Sequence, residues 1–227
     1  MYVAAKSGLS LRSAQSTSSS ILTKIVYAEK VIVLKLDSSL NVEGFATSWA
    51  KVSYKGNIGY VADIYLFEYA PPKPGTEIAE DYFKQLSTLA MPKILIGDTS
   101  IEARDAGAIN ITKSFYKNGL EYHFMQGYEN GISTYVIPNS SIERVFQIFR
   151  NIPEFKMVIQ PSTIFPKTSK VIDNQHRIVV RYMLDENNKP IQDIIESIEF
   201  YAEEEIHFDI RFYEAGGQVY VLFSDGV

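Results

Sequence analysis

Three prolines within four residues, Pro71, Pro72 and Pro74, followed at once by Gly75, interrupt the chain about a third of the way along. Proline fixes φ near the polyproline value and removes an amide donor, so neither a helix nor a central strand runs through such a segment. The stretch 68–76 reads as a short, semi-rigid, Pro-rich linker between a domain over residues 1–67 and a second over residues 77–227. Each side must then bury its own core. With 46% hydrophobic and 22% charged residues in 227, the chain has the material to do so.

Residues 1–67 carry short β patterns and no amphipathic period of helical length. Residues 31–36 alternate and are rich in β-branched side chains. In Trp49-Ala50-Lys51-Val52-Ser53-Tyr54, the residues Trp49, Lys51 and Ser53 fall on one face and Ala50, Val52 and Tyr54 on the other. Lys55-Gly56-Asn57 supplies a tight turn, and residues 58–61 return as the next strand. Residues 16–20 form a Ser/Thr-rich loop, and 37–48 read as a second, longer loop. Several short strands in so few residues predict a small all-β barrel, because closure removes exposed edges.

The second domain mixes types. Residues 77–89 carry a helical apolar stripe with Thr76 placed to cap it. Strands are expected over 111–116, 120–125 and 132–137, joined by hairpins at Asn118-Gly119 and Asn130-Gly131. A second helix runs from Ser140 to about Asn151, with Ser140 and Glu143 forming a capping box and Pro153 closing it. Four more strands follow over 177–184, 191–201, 206–213 and 218–223, with turns at 186–190, 202–205 and 214–217. This order predicts an α+β domain: an antiparallel sheet of seven strands with two helices packed on one face. The other face is left for the first domain, or a protein partner, to cover.

In residues 1–67 the motifs carry a family likeness. Leu9-Ser10-Leu11-Arg12 precedes the run Ser16-Thr17-Ser18-Ser19-Ser20. Then come Ser48-Trp49-Ala50-Lys51-Val52, Gly59-Tyr60-Val61 and Tyr65-Leu66. In order and spacing this resembles the bacterial SH3-like domain, with Ser10 in place of the usual Asn, Gln15 in place of a frequent Pro, and Ser48 in place of Gly. The resemblance implies an SH3-like barrel that targets the cell envelope, engages peptidoglycan or a proline-containing peptide, and binds rather than catalyses. It also implies an exported protein of the periplasm or cell envelope. On that reading the sequence is a mature form, its signal peptide removed and a start Met added. No family likeness is seen for residues 77–227.

Charge and composition narrow the chemistry. Residues 1–67 hold seven Lys/Arg against four Asp/Glu, a balance of +3, within a chain of net charge −5. An acidic whole argues against nucleic acid, which needs a phosphate-neutralising surface. No run of 18 apolar residues exists to span a membrane. The absence of Cys removes disulfides and thiolate nucleophiles, including those of the cysteine peptidases that often share a chain with such barrels. His123, His176 and His207 fall at none of the spacings that build a shared ligand face, so no metal is assigned. His207, Asp209 and Glu205 share one face of a strand and read as a solvated polar row, with Ile206, Phe208 and Ile210 on the buried side. Glu203-Glu204-Glu205 reads as a solvated turn. There is no Gly-x-Ser-x-Gly elbow and no phosphate loop, so no cofactor and no catalytic residue is assigned.

The ligand-binding candidates are therefore Arg12, Ser16, Thr17, Trp49, Tyr60 and Tyr65, on the loops and aromatic positions of the first domain. Trp49, the single Trp, serves either as an aromatic platform or as a core anchor, and packing is the commoner role for a lone Trp in a small barrel. The reading that follows is a non-enzymatic envelope protein. Its SH3-like module binds a cell-wall or peptide ligand, and its α+β domain binds a further ligand or protein. The alternatives are a cell-wall-directed hydrolase with its active site in the second domain, and a barrel that merely supports its neighbour.

Overall fold

The computed structural model describes residues 1–98, 100, 107, 109–127, 130–203 and 207–226, with the side chains of Gln192 and Asp193 excepted. They form two compact units. The first takes Met1–Pro74 together with Glu143–Phe149; the second takes Gly75–Ile142 and Arg150–Val227.

The first unit holds β1 (Tyr2–Val3), β2 (Leu9–Arg12), β3 (Ile21–Ile25), β4 (Ile32–Val42), β5 (Phe45–Tyr54), β6 (Asn57–Ala62) and β7 (Leu66–Phe67), with a 3-10 turn at Asp63–Tyr65. β1 pairs with β7, and the others form one sheet in the order β3-β2-β6-β5-β4. Ala50, Val52 and Tyr54 point into a core with Leu11, Ile25 and Val61, the face that alternation along β5 assigns to them.

The expected loop over 37–48 is not a loop. β4 continues to Val42 and β5 begins at Phe45, so the two form a long hairpin. Glu43 and Gly44, at φ 50° and 84°, make its two-residue turn. Positive φ at both positions matches the twist of the flanking strands, as it does at Lys55 and Gly56, at 46° and 83°. The Pro-rich stretch is also packed. Pro71 and Pro72 are buried, and the Tyr27 hydroxyl donates to the Pro72 carbonyl at 2.7 Å. Burial pushes the Tyr27 hydroxyl up to about 12.

In the second unit, α1 (Ala79–Leu86) precedes β8 (Ile94–Ile96), β9 (Asn110–Phe115), β10 (Glu121–Gln126) and β11 (Asn130–Pro138). β12 (Lys170–Val171), β13 (His176–Leu184), β14 (Pro190–Glu203), β15 (His207–Ala215) and β16 (Gln218–Gly226) follow. Among the described residues these make one nine-stranded antiparallel sheet, in the order β12-β13-β14-β15-β16-β11-β10-β9-β8. The seven expected strands gain two short edge strands, so this unit is dominated by sheet rather than evenly layered. Asn130 and Gly131 are the first residues of β11, with Gly131 opposite Gln126, so they belong to the strand and not to the expected turn. Glu204, Glu205 and Ile206, of the expected turn and strand start, lie outside the described residues.

Alternation gives the sheet two faces. Ile198, Phe200, Ile210, Phe212, Val219 and Val221 are buried on one. Onto that face packs α1, through the Phe83 ring against Tyr135 and Tyr116, at 5.6 and 5.9 Å between centroids. Phe155 adds an edge contact to Phe223 at 5.2 Å.

Both helices differ from expectation at their ends. Thr76 does not cap α1; its hydroxyl accepts from Gln85 Nε2 at 2.7 Å. The cap comes from 75 residues away, where Glu154 Oε2 accepts from the Ala79 amide at 2.8 Å. The second helix, α2, spans Ile142–Phe149, and the Ser140 hydroxyl has no hydrogen-bond partner, so the expected capping box is not closed. Nor does α2 belong wholly with the sheet: Glu143–Phe149 group with the first unit. There the Phe146 ring lies 6.3 Å from Phe45, and Arg144 bridges Asp63, at 2.7 Å, and Glu68. Val145, Phe146, Ile148 and Phe149 are all buried. Each such side chain contributes about 1.5–3 kcal/mol, enough to decide which surface the helix covers.

Candidate functional site

The register of the first sheet lines up four side chains that sequence spacing alone does not connect. Arg12 on β2 pairs with Tyr60 on β6, Tyr60 pairs with Lys51 on β5, and Lys51 pairs with Lys35 on β4. They form a row across the outer face, with one aromatic ring between cations. Lys51 Nζ lies 6.0 Å from the centroid of the half-buried Tyr60 ring. Lys35 Nζ contacts Asp37 at 2.7 Å, a hydrogen bond that raises the lysine above its ordinary range. In the next row the exposed Ile32 and Ile58 flank Ser53, adding apolar surface beside the cations.

Gly59 makes the row possible. A Cβ there would lie 2.5 Å from the Arg12 carbonyl oxygen, so only glycine lets β2 come close enough to set Arg12 beside Tyr60. The adjoining loop is held by its own hydrogen bonds. Arg12 Nη1 donates to the Ser19 carbonyl at 2.8 Å, and the Ser16 and Ser18 hydroxyls lie 2.8 Å apart. Ser38 Oγ donates to Gln15 Oε1 at 2.6 Å, tying this loop to the β4–β5 hairpin.

Of the residues singled out from sequence, Arg12 and Tyr60 are thus adjacent. Ser16 lies half-buried in the neighbouring loop with the exposed Thr17 beside it. Tyr65 packs partly against the core, and its carbonyl accepts from the Ala4 amide at 2.8 Å. Trp49 is 5% exposed, beside Ala62 on β6, and stands outside the core group formed by Ala50 and Val52. So little of its ring is open that it serves packing in this structure. Lys35 and Lys51 were not singled out, because which lysine faces an aromatic depends on strand register.

The second unit carries three histidine–carboxylate pairs: His123 with Glu121 at 3.0 Å, His176 with Asp173 at 3.0 Å, and His207 with Asp209 at 3.5 Å. Burial lowers His123 below its usual value, partly offset by Glu121. Among the described residues no three His, Asp or Glu side chains converge to hold a metal ion.

The strand order of residues 1–67 fits an SH3-like fold, with the aromatic–cation row on the outer face of its sheet. Residues 7–66 match the family model of the bacterial SH3 domain, so the likeness belongs to that segment, about a quarter of the chain. Comparison with curated proteins and with solved structures gives no match.

Proposed function

We propose that this chain is a non-enzymatic, exported envelope protein whose bacterial SH3 domain binds a cell-wall or peptide ligand, while its sheet-rich unit holds a further ligand or protein. Bacterial SH3 domains commonly bind the cell wall. The observation that carries the reading is the row Arg12–Tyr60–Lys51–Lys35. Peptidoglycan presents sugar rings and stem-peptide carboxylates together. A tyrosine ring gives the first a stacking surface, and the cations around it pair with the second. Ser16 and Thr17 border the row and lengthen the contact surface along a strand of ligand. The row offers no nucleophile with an adjacent base, so it favours binding over hydrolysis. Among the described residues no helix is long and apolar enough to cross a membrane.

The test is co-sedimentation of the full chain with purified, insoluble peptidoglycan. The full chain is needed because residues 1–67 alone lack the helix that covers Phe45. The account expects retention that weakens as salt rises, because partly exposed charge pairs are screened. A wild-type protein left wholly in the supernatant at low salt removes the proposal.

A further inference from the structure

The face of the nine-stranded sheet opposite the α1 side carries a charged network that the proposed function leaves unexplained. Register places three rows there: Arg181, Ser197 and Tyr213; then Val179, Glu199 and Arg211; then Arg177, Tyr201 and Asp209. Glu199 sits at the centre with its side chain only 6% exposed, whereas Arg181 and Arg211 are 47% and 44% exposed. Arg181 Nη1 donates to Glu199 Oε1, Arg211 Nε lies 3.0 Å from the same oxygen, and the Tyr201 hydroxyl donates to Oε2. Burial pushes the Glu199 carboxyl up, but these donors and the two guanidinium charges outweigh it and hold it below its usual range.

A strand face turned to water needs no buried carboxylate, and water would solvate these arginines without one. What Glu199 does is fix two guanidinium groups against a single oxygen atom. Each guanidinium has five N–H donors in a rigid fork; Glu199 accepts from one nitrogen of Arg181 and forms an ion pair with Arg211, whose buried Nε makes no hydrogen bond. Among the described residues no protein acceptor takes their remaining nitrogens. Of the nearby acids, Asp209 accepts from Ser224 and pairs with His207, and the exposed Glu196 acts on Arg181 through its charge alone. Ser197, directly between Arg181 and Tyr213, is fully buried, and its hydroxyl has no hydrogen-bond partner. Tyr213 and Tyr220 stack at 4.9 Å alongside, and Arg177 lies 4.4 Å over the Tyr201 ring.

We infer that Arg181 and Arg211, pre-set by Glu199, form a binding site for an oxyanion, a carboxylate or phosphate, borne on a ring that rests against Tyr213 and Tyr220. This gives a chemistry to the second unit's share of the proposed function and stands apart from cell-wall binding by the first. Glu199 is a positioning residue: it orients donors and contacts no ligand itself. Planar two-pronged donors suit both anions, and aromatic rings suit the apolar face of a sugar.

The experiment is an amide NMR titration of the full chain with glucuronate, inorganic phosphate and glucose. Glucuronate or phosphate is expected to shift the amides of Arg181, Ser197, Arg211 and Tyr213, while glucose leaves them unmoved. The stronger of the two anions identifies the oxyanion. R211Q is expected to weaken the response by about tenfold or more. R181Q alters a half-exposed side chain and repeats the test if R211Q disturbs the fold. E199Q, which keeps shape but loses the charge that fixes both forks, is expected to weaken binding without abolishing it. The proposal is overturned if neither anion shifts these amides, or if the shifts persist undiminished in the folded R181Q and R211Q proteins. Either result leaves peptidoglycan retention untouched.

Discussion

Removing the Glu154 carboxylate tests how the second unit is assembled. Its Oε2 accepts from the Ala79 amide at the start of α1, and its two oxygens receive the Tyr135 hydroxyl at 3.1 and 3.3 Å. Glu154→Ala leaves that helix end uncapped, a loss of about 1 kcal/mol. It also removes one acceptor from the hydroxyl of Tyr135, which is 1% exposed and keeps its hydrogen bond with Ser133, a loss of about 1 kcal/mol. The two losses sum to about 2 kcal/mol. A counter-term exists, because burial raises the Glu154 pKa above its usual value of 4.5, against the opposing hydrogen bonds from Ala79 and Tyr135. The folded chain therefore binds this proton more tightly than the unfolded chain. Stability is lost as pH rises from the unfolded value through the folded one. Glu154→Gln keeps an acceptor without the charge, so at pH 7 it is expected to lie within about 1 kcal/mol of wild type. Wild type is expected to gain on it as the solution is acidified. Trp49, the only Trp, lies in the first unit, so its fluorescence does not follow this change. Amide hydrogen exchange in α1 and far-ultraviolet dichroism in urea do. A Glu154→Ala protein within about 0.5 kcal/mol of wild type, or one matched by Glu154→Gln at neutral pH, refutes the reasoning.

Three further outcomes are expected. Arg144→Ala unpairs Asp63, which is 8% exposed, and is expected to cost about 2–3 kcal/mol, discounted from a fully buried pair because Glu68 is more open. Trp49 fluorescence during urea unfolding reads the change. Gly59→Ala forces a Cβ toward the Arg12 carbonyl and is expected to destabilise the first unit by about 1–3 kcal/mol in the same assay. Tyr27→Phe removes the bond to Pro72, with an expected loss of about 1 kcal/mol and faster proteolysis at Lys73.

What the sequence shows of this fold follows from the range of each signal. Local signals hold: the alternation along β5, the turn at Lys55-Gly56 and the hairpin at Gly216-Gly217, where both glycines have positive φ. Glu43-Gly44 was unreadable because glutamate is an unusual residue at φ 50°, so the pattern lacks an Asn-Gly or Asp-Gly mark. The edge strands β8 and β12 have three and two residues, too few for alternation to register. The α2 sequence shows an apolar face but not which surface will cover it. Its assignment to the first unit rests on Phe45, Asp63 and Glu68, more than 70 residues away in each case. The Glu154 cap is hidden for the same reason. At the candidate site, Arg12 and Tyr60 were legible as family positions. Lys35 and Lys51 became legible only through register, which the bulge between Val33 and Lys35 shifts by one residue.

The measurement that bears most directly on the account is the affinity of a soluble muropeptide for the full chain, compared with its Tyr60→Ala and Lys51→Glu variants by calorimetry. The outward position of both residues allows the substitutions without touching the core. The account expects binding that falls by about tenfold or more in each variant while Trp49 fluorescence stays unchanged. Equal affinity in all three proteins, or none in the wild type, contradicts it.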